Sequence, residues 1–196
     1  MFYLDFSHLR LYNRTVLKRH FTEDLMGFYL TDEIEIHPSA YIAPSARIYG
    51  KVKIGAHSSI WDGVVIRGDM APIEIGHSSS IQENAVIHVD TDTPTIIGNF
   101  VTVGHGAVVH GATVGDNCII AIGSILLNQV TIGDNSIVGA GAVVLERNVI
   151  PPRSVVFGMP GKVAKTVTDE AIKDIRKNAE VYVQLGQAYR KRSQNK

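Results

Sequence analysis

The stretch KIGAHSSIWDGVVIRGD, Lys53 to Asp69, decides the fold. Isoleucine stands at 54, 60 and 66, a spacing of six. Stepping backwards by six gives Ile48, Ile42 and Ile36. Stepping forwards, three extra residues intervene and the register resumes at Ile75, Ile81 and Ile87. Four more intervene before Ile97, Val103 and Val109. One residue is then dropped, and Val114, Ile120, Leu126, Ile132, Val138, Val144, Ile150 and Val156 follow. All twenty positions hold Ile, Val or Leu.

An α-helix cannot use this period, because six residues turn it through about 600° and rotate the apolar face out of register. Glycine and β-branched residues at this density also disfavour a helix. A coil of short parallel strands fits. Each hexapeptide forms one side of a triangular prism, three make one turn, and the aliphatic column fills the inside. Successive turns stack at about 4.8 Å, the strand spacing. The insertions are expected to be bulges or loops between rungs.

The period changes near the C-terminus. In TVTDEAIKDIRKNAEVYVQLGQAYRKR, residues Ile172, Ile175, Ala179, Tyr182 and Tyr189 share one helical stripe. Thr168 reads as the N-cap, with Asp169 and Glu170 in the first turn. The expectation is a helix over 169–190, entered through the FGMPGK turn, Phe157 to Lys162. The chain thus divides into an N-terminal extension (1–30), a hexapeptide domain (31–161) and a C-terminal helix and tail (162–196). The extension is aromatic and basic and lies outside the repeat. An ordered arm, a leader and part of a targeting sequence all remain open for it, with Met26 available as an internal start.

Composition narrows the function. Net charge over the 196 residues is zero, which gives no electrostatic case for nucleic acid or a membrane surface. The one cysteine, Cys118, makes no disulfide framework within the chain and fits a reducing compartment. No apolar run is long enough for a membrane-spanning helix, and MFYLDFSHLRLYNR makes a poor signal peptide. The expected location is the cytoplasm, or the mitochondrial matrix in a eukaryote.

Indexing polar residues by the repeat sorts them by face. The residue after an inward aliphatic points outward. Arg67, His88 and His110 follow Ile66, Ile87 and Val109, so they stack one coil apart on one face, here called X. The two histidines should lie about 5 Å apart, compatible with a shared metal. Gln82 and His105 fall on the preceding face, Y, with Glu83 one coil from His105. His37, His57 and His77 fall on the third face, Z. His105 and His110 straddle a prism corner, so within one chain their side chains diverge. They meet at one metal if face Y of one subunit packs near face X of another, as in a three-fold ring of prisms with heterologous contacts. The expectation is a homotrimer with composite sites, each taking His88 and His110 from one chain and His105 from its neighbour.

With these residues placed, IWDGVVIRGD, SIQENAVIH and VTVGHGAVVHG resemble the gamma-class carbonic anhydrases, in their bacterial and mitochondrial branch. The resemblance covers roughly residues 36–190. It implies an all-β fold, a left-handed parallel β-helix of hexapeptide repeats with a C-terminal α-helix. It implies reversible hydration of CO2 to bicarbonate by metal-bound hydroxide at trimer interfaces, with Zn2+, Fe2+ or Co2+ on His88, His105 and His110. In such a site Arg67 pairs across the subunit boundary with Glu83. Asp69 and Gln82 line the pocket, and Tyr182 leans over it from the helix. The sequence departs from the archaeal prototype at Met70, where that enzyme is acidic, and in the short VDTDTPT loop, which leaves Asp90 or Asp92 as substitute proton carriers.

Bland readings apply elsewhere. Trp61 reads as packing, Cys118 as a small buried residue, and Asp116, Asn117, Asp134 and Asn135 as corner turn formers. The Arg-Gly-Asp run is a coincidence of a short motif. Two other functions compete. One is an acyltransferase-like enzyme or CoA-thioester hydrolase. The other is a non-catalytic metal-stabilised trimeric scaffold.

Overall fold

The structure is a computed structural model and describes residues 33–194. The extension read over 1–30 lies outside the described residues. The rest is a left-handed parallel β-helix of about seven turns, closed by one helix.

The six-residue column is the core. From Ile54 to Val156 every member of it is buried. Ile36, in the first coil, is 40% exposed, because no turn of the prism among the described residues covers it. Pairing follows the count. Ile66 lies beside Ile87 and Ile87 beside Val109, while Ile60, Ile81, Val103 and Ile120 form the equivalent row on the preceding face, Y.

Face Y is an eight-stranded sheet. In spatial order it holds β2 (Tyr41–Ile42), β4 (Ser59–Ile60), β6 (Ser80–Ile81), β9 (Thr102–Val103), β12 (Ile119–Ile120), β15 (Ile137–Val138), β18 (Ser154–Phe157) and β19 (Lys162–Thr166). Faces X and Z form one continuous sheet, because β3 (Arg47–Ile54) and β5 (Val65–Ile75) bend round the corner between them. Face X continues through β7 (Val86–His88) and β10 (Val108–His110).

The corners have a chemical cause. Asn84, Asn117 and Asn135 adopt positive φ there, a conformation asparagine tolerates well. The Asp134 carboxylate accepts from the Asp116 backbone N–H at 2.8 Å, so these residues tie one coil to the next. At the X–Z corner Gly50 takes φ +77°, and a Cβ on Gly50 would stand 2.3 Å from the Gly68 carbonyl oxygen. A Cβ on Gly68 would in turn stand 2.5 Å from the Lys51 carbonyl oxygen, so the glycine of the Arg-Gly-Asp run has a structural reason: the coils touch there. The three residues inserted after Ile66 bulge out between Gly68 and Ile73, and they begin with Asp69.

Leaving the last coil, the chain first adds β19, antiparallel to β18, a strand the hexapeptide count does not contain. The helix, α1 (Asp169–Gln194), starts where expected, with Thr168 Oγ1 accepting the Ala171 N–H at 3.2 Å, and runs beyond residue 190. It returns along face Y. Asn178 donates to Thr102 Oγ1 at 2.9 Å, and Gln187 donates to the Ser39 carbonyl at 2.7 Å. Gly186 permits the close crossing, since a Cβ there would stand 3.0 Å from Ser59 Cβ. Among the described residues no helix is long and apolar enough to cross a membrane.

Cys118 is fully buried in the core, and burial pushes its thiol pKa up to about 12. The folded group therefore stays protonated where an unfolded thiol, at about 8.5, ionises. Its contribution to stability is complete below about 8.5 and is lost as the pH rises towards about 12. Iodoacetamide at about pH 8 should leave Cys118 unmodified in the native protein and alkylate it fully in denaturant, as read by intact mass. Rapid native alkylation would show a thiol more exposed than this packing allows.

Candidate metal centre

Face X carries a continuous run of polar side chains. Register places Arg67 beside His88 and His88 beside His110, as the repeat count requires. The inserted residues then add Asp69. Its Oδ2 accepts from the Arg67 guanidinium, and its Oδ1 lies 3.4 Å from His88 Nε2. On the far side of His88, Nδ1 lies 2.9 Å from His110 Nε2, with ring centroids 4.8 Å apart. His110 Nδ1 in turn bonds Asn128 Oδ1, and Asn128 Nδ2 donates to Asp90 Oδ2 at 2.5 Å.

The donor set can be read from its outer ends. A carboxylate only accepts, so His88 Nε2 carries the proton that faces Asp69, and Nδ1 presents a lone pair. At His110 the proton sits on Nδ1, facing the Asn128 oxygen, and Nε2 presents a lone pair. Two lone pairs thus face each other, an arrangement that calls for a proton or a cation between them. Two Zn–N bonds of about 2.0–2.1 Å meeting at a tetrahedral angle span about 3.3–3.4 Å, so a small opening of the ring pair suits one divalent ion.

Electrostatics favours the ligating form. Burial lowers the His88 pKa, the charges of Arg67 and His110 add to that, and Asp69 opposes it. The imidazole is therefore neutral near pH 7. For Asp69, burial raises the pKa, but the hydrogen bond and charge of Arg67 outweigh it, with smaller help from its own backbone and His88, and the carboxyl stays ionised.

The third histidine stands apart. His105 and Glu83 occupy equivalent corner turns one coil apart, where the Gly106 N–H meets the Glu83 carbonyl at 2.9 Å. The count put both on face Y; the structure places them on the edge between Y and X. Each precedes a positive-φ residue, Asn84 or Gly106, and that turn throws the side chain outward. Glu83 Oε2 lies 2.7 Å from His105 Nδ1. Among the described residues, no group of three His, Cys, Asp or Glu side chains within the single chain is placed to hold a metal. Two imidazoles converge on face X, and the third projects from an edge.

The remaining expected site residues lie on face Y. Gln82 is only 4% exposed and follows Ile81 in the row beside Trp61. Tyr182 sits against Trp61, ring centroids 6.4 Å apart, in an aromatic cluster with Tyr41 and Tyr189. Its place within the chain is the seam between helix and sheet. Trp61 is packing, with its indole N–H donating to Ser80 Oγ at 2.9 Å. Within the chain Arg67 pairs with Asp69 and Glu83 with His105. Met70, at the position where the archaeal prototype is acidic, packs against the core. Asn128 was missed by sequence reasoning. The count alone sets ILLN directly over VVHG, which puts Asn128 over Gly111, next to His110.

The repeat and the fold have counterparts among known proteins. The bacterial transferase hexapeptide family (six repeats) matches residues 33–68 and 111–146. A "Probable carbonic anhydrase" of Methanocaldococcus jannaschii is 50% identical over 152 residues, which is 78% of this chain and 96% of that protein. The mitochondrial gamma carbonic anhydrase 1 of Arabidopsis thaliana is 40% identical over 184 residues, 91% of this chain and 66% of that protein. Among solved structures, a hexapeptide transferase family protein from Anaplasma phagocytophilum superposes with a TM-score of 0.77 at 36% identity, covering 80% of this chain and 92% of that one.

Proposed function

The chain belongs to the gamma-class carbonic anhydrase family, and from that premise we propose that it hydrates CO2 reversibly to bicarbonate at sites shared between the subunits of a homotrimer. The observation that carries the reading is the facing pair of His88 and His110 nitrogens, each ring having an oxygen acceptor on its outer side. His88 and His110 of one chain and His105 of the next would hold the metal, with Zn2+ first and Fe2+ or Co2+ as alternatives. When bound, such an ion is a Lewis acid that brings the pKa of water down towards about 7.

The chain's own residues do the rest. Asp69 orients the His88 ring and restrains Arg67. Glu83 holds the proton of His105 on Nδ1 and leaves Nε2 for coordination. Arg67, about half exposed beside the pair, offers a guanidinium to the bicarbonate anion. Asp69 and Glu83 are the carboxylates nearest the imidazoles, and each can take a proton from water. Gln82 and Tyr182 are assigned to the pocket wall at the subunit boundary, on the family resemblance.

The likeness to a hexapeptide transferase supports a second reading, acyl transfer or thioester hydrolysis. An acyltransferase needs one histidine base facing its substrate. Here the two ring nitrogens face each other, which favours the anhydrase. Metal analysis of protein purified without chelator, with stopped-flow CO2 hydration on the same sample, tests the proposal. The expected result is about one metal per chain and hydration that disappears with the metal. Full metallation with no hydration in either the zinc or the iron form would overturn it, in favour of thioester chemistry or a scaffold.

A further inference from the structure

We infer that Asp90 and Asn128 are positioning residues that set the tautomer of His110 and so decide which of its nitrogens meets the metal. The inference rests on the reading of His110 as a ligand. Asp90 lies in the segment that interrupts the repeat after Ile87. There the chain doubles back, with Asp90 N–H to the Thr93 carbonyl at 3.3 Å, Thr93 N–H to the Asp90 carbonyl at 3.0 Å, and Asp92 at φ +54°. One carboxylate oxygen, Oδ1, is fixed by the Thr91 N–H at 2.8 Å. The other, Oδ2, receives Asn128 Nδ2. Asn128 arrives from the next coil, above Gly111, where a Cβ would stand 2.9 Å from Asn128 Oδ1.

The chemistry runs in one direction. An amide has a donor end and an acceptor end, and either could face His110. A carboxylate has only acceptors, so Asp90 holds the amide nitrogen to itself and turns the oxygen to His110. That oxygen accepts the Nδ1 proton, which leaves the lone pair on Nε2, the nitrogen that faces His88. Without Asp90 the amide is free to flip. A flipped Asn128 would donate to Nδ1 and put the proton on Nε2, where it would block coordination. Asp90, read from the sequence as a substitute proton carrier, is thus tied down by two donors and serves to orient.

Two variants test this. Asp90→Asn keeps an oxygen for the Thr91 N–H but removes the acceptor-only anchor. The swap Asp90→Asn/Asn128→Asp puts a carboxylate against His110 Nδ1 and an amide donor behind it, which restores the polarity of the relay. Cobalt affinity, measured by chelator competition on the trimer, should fall about 10- to 100-fold in Asp90→Asn and return to within about threefold of wild type in the swap. The visible spectrum of the Co2+ form should change in the single variant and revert in the swap. Nitrogen NMR of the metal-free protein supplies a readout that needs no metal: His110 should carry its proton on Nδ1 in wild type and swap, and a mixture should appear in Asp90→Asn. A wild-type Nε2–H tautomer, or Asp90→Asn with unchanged tautomer and affinity, overturns the inference. If wild type binds no cobalt, the ligand reading fails, and the tautomer result still decides the relay.

Discussion

His88→Ala should lower kcat/KM for CO2 hydration by about 10³-fold or more, since it removes a ligand and not merely a partner of one, whose loss typically costs 10- to 100-fold. The argument starts from position. His88 is the middle of the polar run on face X, bonded towards Asp69 on one side and facing His110 on the other. Removing the ring takes away one of two facing lone pairs and releases Asp69 from its second partner. The fold should survive, because the ring points outward while Ile87 and Val89, on either side of it, fill the interior. Circular dichroism and thermal unfolding should therefore stay near wild type while metal content collapses. His37→Ala is the matching control. His37 is a histidine of face Z whose Nδ1 bonds Ser39 Oγ at 2.9 Å, and its loss should leave hydration unchanged. An His88→Ala protein that keeps more than about a tenth of wild-type activity would remove His88 from the ligand set.

Legibility from sequence followed locality. The interior column was readable because a six-residue step ties each aliphatic residue to its neighbours above and below, and that step alone places Arg67, His88 and His110 in one stack. The same arithmetic separates His37, His57 and His77 from the site, although His57 and His77 lie in corner turns and not on face Z itself. What the count could not give was the path of the chain where it breaks the period. Asp69 reaches His88 only because the insertion after Gly68 bulges at a corner made by two close glycines. Asp90 reaches Asn128 only because its own insertion folds into a tight turn. His105 and Glu83 moved from a face to an edge because their turns need a positive-φ residue next in line. β19 and the aromatic seam of Tyr41, Trp61, Tyr182 and Tyr189 depend on how the last coil is capped and where the helix returns, which the repeat does not encode. Apolar periodicity fixes a register; irregular segments fix where the polar atoms within that register end up.

The separation of His105 from the other two histidines leads to the last expected result. His105→Ala and His88→Ala should each be inactive as pure trimers, yet mixing them should restore activity. The first variant has an intact face X and a defective edge; the second has the reverse. In a closed ring with heterologous contacts, any trimer containing both kinds of subunit has one junction where a sound face X meets a sound edge. Random reassembly of equal amounts makes about three quarters of the trimers mixed, each with one working site in three, so hydration and metal content should both recover to about a quarter of wild type. A mixture of His88→Ala with His110→Ala should recover nothing, because both defects lie on the same face. Mixed trimers verified by mass, with no metal and no hydration regained, would show that one chain holds its own site. The single-chain geometry speaks against that outcome, since His105 projects from a prism edge with Glu83 while His88 and His110 face each other on face X.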